Sequence, residues 1–289
     1  MNVLATLQKT GRFLRKNLAF YLTGFLILLG IKLFYSRADC QELRWILGPT
    51  AGWVTLLSGI SFAYLPGEGY VNHSLRILIA PSCSGVQFML ITMATLLFSF
   101  VHRAAGNGTP SSRSRKGFLW TAACLPLSYL TAIFVNGLRI IAAIYLPALL
   151  AQAGLSGADS PRCFLTPEKL HTAIGVLVYF VSLLTIYRLG GYFFQRSSAP
   201  QDSTDSSCSQ APAGCNALTD VLAGFLRRCL PPLFWYFAFV LGIPFLNKGL
   251  QKNGSQFTSF AALTGLCCGA VLCLYLAVLT GRRLWKLLH

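Results

Sequence analysis

A thiol, a guanidinium and an imidazole stand at the ends of apolar stretches: Cys83 in Ala-Pro-Ser-Cys-Ser-Gly, Arg139 in Asn-Gly-Leu-Arg-Ile, and His171 in Leu-His-Thr-Ala-Ile-Gly. Polar groups that persist beside a bilayer interior are costly and mark function. These three supply the parts of a cysteine nucleophile site. The thiolate attacks, the imidazole moves the proton, and the fixed cation stabilises thiolate or developing oxyanion. Pro81 precedes the helix expected after Cys83, and Ser84-Gly85 fall at its first turn. Free amides and the helix dipole there favour a thiolate. Asn136, next to the Arg139 segment, is a second fixed donor. Each residue alone also has an ordinary reading, as packing cysteine, snorkelling cation or interface histidine. Topology decides whether they meet.

The elements that must position them are membrane helices. Apolar residues make up 54% of the chain against 11% charged. The runs Leu18–Tyr35, Val86–Val101, Phe118–Val135, Thr172–Ile186, Leu233–Leu246 and Phe257–Thr280 are almost free of charge. Crossing a hydrocarbon core takes roughly 20 apolar residues, so the shorter runs draw on their flanks. The first follows a basic stretch (Lys9, Arg12, Arg15, Lys16) without a small-residue cleavage site, and reads as a retained anchor.

The formal charge of +16 does not point to nucleic acid. Lys and Arg cluster between the apolar runs: at the N-terminus, at 102–117, at 188–228 and in the C-terminal tail. That pattern marks cytoplasmic loops. The connections at 36–84, 136–170 and 247–256 carry fewer cations, and the first two hold Asp39, Glu42, Glu68, Asp159 and Glu168; they belong outside. Ten cysteines form no CxxC pair, so neither a zinc site nor a redox dithiol is indicated, and no cofactor or metal is expected. Cys267, Cys268 and Cys273 read as small packing residues of the last helix.

This sidedness predicts about six net crossings plus two partial segments, an all-α polytopic membrane protein. Trp45–Leu65, with Gly48, Pro49, Gly52 and Gly59, lies between an exiting and an entering helix and makes no net crossing. Leu138–Leu150 is too short to cross and return. Cys83 then precedes an inward-running helix, Arg139 follows an outward-running one, and His171 opens another inward-running one. All three reach the extracytoplasmic face. His102 falls at the opposite end of its helix, whereas His73 is a rival base near Cys83. The alternating, β-prone run Ile60–Ala80 around Pro66-Gly67-Glu68-Gly69 predicts a short extracytoplasmic β-hairpin: a lid, a substrate-docking edge or an ordinary connection.

From 197 to 217 the composition turns to Ser, Ala, Pro, Gln and Asp, the signature of a flexible cytoplasmic linker. The expected organisation is a membrane catalytic domain over 1–190, a linker over 191–220, and a terminal two-helix appendage over 221–289.

The order Pro-Ser-Cys-Ser-Gly, Asn-Gly-Leu-Arg-Ile and His-Thr-Ala-Ile-Gly at successive helix boundaries resembles the exosortase/archaeosortase family of membrane cysteine enzymes. The stretches Lys32-Leu-Phe-Tyr-Ser-Arg, Trp45-Ile-Leu-Gly-Pro-Thr and Ile79-Ala-Pro-Ser-Cys look most like its exosortase K branch. The resemblance covers roughly residues 20–190 and leaves the linker and terminal pair unmatched. It implies a cysteine peptidase/transpeptidase of the cytoplasmic (inner) membrane. Its partners would be exported proteins ending in a sorting signal of short motif, apolar helix and basic tail. Cleavage would fall at the outer membrane face, with transfer to an unknown acceptor. The implied roles are Cys83 as nucleophile, Arg139 as stabilising cation and His171 as general acid/base, with Asn136 and Ser84 in support. Two other readings stand beside it: hydrolysis without transfer, since an acyl-enzyme can go to water or to an amine, and a non-enzymatic transporter or assembly scaffold in which Arg139 and His171 line a polar path.

Overall fold

A computed structural model describes residues 3–106, 109–152, 166–196, 217–247 and 249–288. Residues 197–216 of the linker expected over 191–220, and residues 153–165 of the connection at 136–170, lie outside the described residues. The elements run α1 (Val3–Arg37), α2 (Arg44–Ser58), β1 (Ala63–Leu65), β2 (Gly69–Asn72), β3 (Ile77–Ile79), a 3₁₀ turn (Pro81–Cys83), α3 (Val86–Ala105), α4 (Pro110–Gln152), α5 (Pro167–Arg196), α6 (Ala217–Phe237), a π turn (Ala238–Gly242), α7 (Ile243–Leu246) and α8 (Gly249–Leu288). Six helical stretches are long and apolar enough to cross a membrane, as the charge-free runs require, and they mark an integral membrane protein.

The chain forms two compact units, Met1–Tyr179 and Phe180–His289. In the first, α3 is the central element. Its side chains from Val86 to Val101 are almost all buried, and it packs mainly on α4 and α1. Small residues set the close approaches, as is usual where no hydrophobic force drives helix association in lipid. A Cβ added at Gly24 would strike Leu97, and one at Gly117 would strike Phe20. Arg113 at the start of α4 donates to Gly106 O (3.1 Å) and to Asn17 Oδ1 on α1. The basic N-terminal stretch and the basic α3–α4 connection therefore lie at one end of this unit.

The opposite end carries the irregular structure. The 15-residue α2 contains Pro49 and stops at Gly59, which adopts the left-handed region (φ 73°) and donates to Thr55 O (2.9 Å). At about 1.5 Å rise per residue it is too short to cross a bilayer. It is docked on α4 by stacked Trp45 and Tyr129, with the Tyr129 hydroxyl donating to Trp45 O (2.8 Å), and by Trp53 against Phe134. The expected hairpin is instead a three-stranded antiparallel sheet in the order β1-β2-β3. The extra strand arises because the chain reverses twice. The second reversal is held by Asn72, whose Oδ1 accepts from Leu75 N (2.8 Å), and by Arg76 at φ 54°.

Leu138–Leu150 also differs from expectation. It is no separate segment but the distal part of a continuous 43-residue α4. Asn136-Gly137 reads as a helix end, yet Gly137 is buried against Trp53, whose Cδ1 would lie 2.4 Å from an added Cβ. Tertiary packing keeps the glycine helical. At about 65 Å, α4 outruns the hydrocarbon core and rises beside the sheet.

In the second unit, Phe180 packs on Tyr236, Phe225 on Tyr275, and the Arg188 guanidinium hydrogen-bonds the Tyr275 hydroxyl. Cys267 and Cys268 are buried, as packing residues should be, but Cys273 is exposed.

Candidate active site

Antiparallel helices bring the three reactive groups together at the sheet-bearing end of the first unit. The entry to α3 is not the plain helix start that Ser84-Gly85 suggests. Cys83 closes a 3₁₀ turn, its amide donating to Ala80 O (2.8 Å), and Ser84 N donates to Pro81 O (3.1 Å). The helix begins only at Val86, with Gly85 as N-cap at φ 77°. A side chain at Gly85 would be strained by that φ, and its Cβ would press within 2.9 Å of Asn136. Only glycine lets Asn136 come close enough to donate its Nδ2 to Cys83 O at 2.6 Å. Asn136 thus fixes the backbone that carries the thiol. Cys83 itself is half-buried.

Arg139, three residues on along α4, is the hub. Its Nη1 donates to Asn136 Oδ1 (3.3 Å) and to the Tyr179 hydroxyl (3.3 Å), and its Nη2 lies 3.1 Å from His171 Nε2. The guanidinium is also within interaction range of the Cys83 side chain. An arginine can only donate, so His171 Nε2 is the acceptor, with the ring neutral and its proton on Nδ1. Cys83 and His171 therefore share Arg139 as a common partner.

Tyr179 completes the network and was not among the expected site residues. Its hydroxyl donates to Asn136 Oδ1 (2.7 Å) while accepting from Arg139, and its ring stacks on Phe88 with centroids 4.6 Å apart. The sequence signal is the spacing His171–Gly175–Tyr179, one stripe of α5 at intervals of four. Gly175 leaves room for the guanidinium to lie across the helix, since an added Cβ would sit 3.3 Å from Arg139 Nε. Tyr179→Phe keeps the stack and removes one donor and one acceptor. We expect about tenfold slower alkylation of Cys83 by a small thiol reagent, or slower turnover of any substrate, with little change in melting temperature.

Cys83, Arg139 and His171 line one pocket of about 510 Å³, within the usual range for ligand sites. Leu75 to Ile79, spanning β3, form one wall, and the distal α4 face of Ile140, Ala143, Ile144 and Pro147 forms another. Two expected participants fall elsewhere. His73 is exposed in the turn after β2 and does not line the pocket. Ser84 is fully buried, its hydroxyl has no hydrogen-bond partner, and it also stays outside the lining. Among the described residues no group of three His, Cys, Asp or Glu side chains is arranged to hold a metal ion. No protein-family model, characterised protein or solved structure matches the chain.

Proposed function

We propose that this protein is a membrane cysteine peptidase of the transpeptidase type. It cleaves a C-terminal sorting signal of exported proteins at the outer face of the cytoplasmic membrane and hands the new carboxyl end to an acceptor. The observation that carries the reading is a half-buried thiol, a guanidinium and an imidazole lining one pocket, with the guanidinium at the imidazole. A transporter path has no need of a nucleophile beside its polar groups. The sequence resemblance to exosortases adds the substrate class.

The chemistry runs through a thioester. The Cys83 sulfur attacks the scissile carbonyl carbon, and the carbonyl oxygen takes the charge against the Arg139 guanidinium. As that oxygen claims Nη2, His171 Nε2 is released to take the thiol proton and then deliver it to the departing amine. The C–N bond breaks, leaving acyl-Cys83. An acceptor amine, or water, attacks the thioester, His171 removes its proton, and the thiolate departs. Asn136 and Tyr179 hold the guanidinium and the Cys83 backbone in register throughout.

A substrate helix held by its cytoplasmic basic tail presents its scissile bond at the outer interface. The basic α3–α4 connection should then be inside and the sheet with the pocket outside. Single cysteines at positions 68 and 110 in an otherwise cysteine-free chain check this with an impermeant maleimide on intact cells. Position 68 should label strongly and position 110 only after lysis. The reverse pattern contradicts the assignment.

A further inference from the structure

We propose that the pocket takes its peptide as an extended strand added to the free edge of β3, so that the backbone of the bound segment passes Cys83. This rests on the peptide-cleaving reading above and specifies how that substrate is held.

The sheet order makes β3 a terminal strand, paired through Tyr70↔Ile79, Val71↔Leu78 and Asn72↔Ile77 on one side only. The Ile79 carbonyl is turned toward β2, because a Cβ on Gly69 would sit 2.4 Å from it. In an antiparallel ladder, hydrogen-bonded and non-hydrogen-bonded pairs alternate. With Ile79 bonded inward, the N–H and C=O of Leu78 point outward, to the side on which no described segment pairs. The next residue of that edge, Ala80, already gives its carbonyl to Cys83 N (2.8 Å). The free edge is thus centred on Leu78 and leads straight into the turn that carries the nucleophile.

A bare edge of this kind is usually blunted by proline, by charge along the strand or by a covering element. Leu78 has none of these: it is exposed, and the pocket opens beside it. The occupant must bring free backbone donors and acceptors. A helix spends its own internally and a lipid chain has none, whereas an extended peptide has one of each at alternate residues. The facing wall of Ile140, Ala143, Ile144 and Pro147 is one apolar face of α4, suited to side chains projecting from such a strand. The pocket lining carries the cations Arg76 and Arg139 and no carboxylate, which complements the carbonyl oxygens of a peptide backbone.

The test uses full-length Cys83→Ala protein in lipid nanodiscs, so that binding is read without chemistry. The probe is a degenerate pool of acetylated hexapeptide amides carrying a diazirine, with crosslinks mapped by mass spectrometry. A matched pool is N-methylated at its central backbone nitrogens. Crosslinks should fall at 76–79, and N-methylation should weaken them by about tenfold, since it removes backbone bonds and blocks strand approach. Leu78→Pro should have the same effect, because proline deletes the outward N–H but none of the bonds to β2, while Leu78→Ala should retain the crosslinks. Crosslinks that map away from β3, fail to form, or survive N-methylation overturn the proposal. The N-methylated pool needs no altered fold to give this answer. Mapped crosslinks at β3 together with intact substrate on the wild-type protein would instead sink the peptidase reading and leave the docking edge standing.

Discussion

Replacing Cys83 with alanine is expected to stop processing of a sorting-signal substrate completely, and no covalent adduct should form. Among the described residues, Cys83 is the only thiol that lines the pocket. No other described pocket residue offers a cysteine or serine nucleophile. Cys83→Ser should be nearly as inactive. A cysteine thiol is intrinsically more acidic and more nucleophilic than a serine hydroxyl, which needs a strongly oriented base to act at all. His171→Ala should be severe yet leave slow turnover, because the Arg139 cation still stabilises the developing oxyanion. Cleavage of a tagged substrate in membranes, followed by immunoblot, reads all three. If Cys83→Ala still processes substrate, the peptidase reading fails and an assembly scaffold takes its place.

Arg139→Lys is expected to cost about 10²–10³-fold in processing rate, the loss associated with removing one oxyanion donor. Charge is retained, so the size of the effect separates geometry from simple electrostatics. Arg139 uses its planar head to reach Asn136, Tyr179 and His171 at once, at 3.1 to 3.3 Å. A lysine ammonium on a flexible stem offers a point charge and cannot span those partners. Near-full processing by Arg139→Lys would reduce the residue to a diffuse positive field and remove the hub from the account. Single-turnover rates at saturating substrate measure this without confusion from binding.

The helices and the convergence of the reactive trio are legible in the sequence because both follow from coarse physics. Charge-free runs of bilayer length must span, and alternating helix sense puts the start of α3, the outer part of α4 and the start of α5 at one end. The finer features depend on partners that sequence order hides. Asn136-Gly137 reads as a helix end until Trp53 is known to pack on the glycine. The distal part of α4 therefore goes unrecognised, although it supplies a pocket wall. Tyr179 looks like packing within an apolar run until Arg139 lies opposite it. Its spacing from His171 and Gly175 was the available clue. Ser84 shows the converse. Adjacency to the nucleophile suggests a role, but the 3₁₀ turn points its hydroxyl into the protein rather than the pocket. β3 eludes a hairpin reading because a single left-handed residue, Arg76, is enough to turn the chain back once more.

The most direct test of the central claim, that Cys83 attacks a peptide carbonyl, is capture of the acyl-enzyme. Full-length protein in nanodiscs would be mixed with an exported protein ending in motif, apolar helix and basic tail, quenched in acid, and analysed by intact mass. The account predicts a thioester on Cys83 with the mass of the cleaved substrate, released by hydroxylamine and absent from Cys83→Ala. Cleaved product accumulating with no adduct on Cys83, and equally in Cys83→Ala, would contradict it.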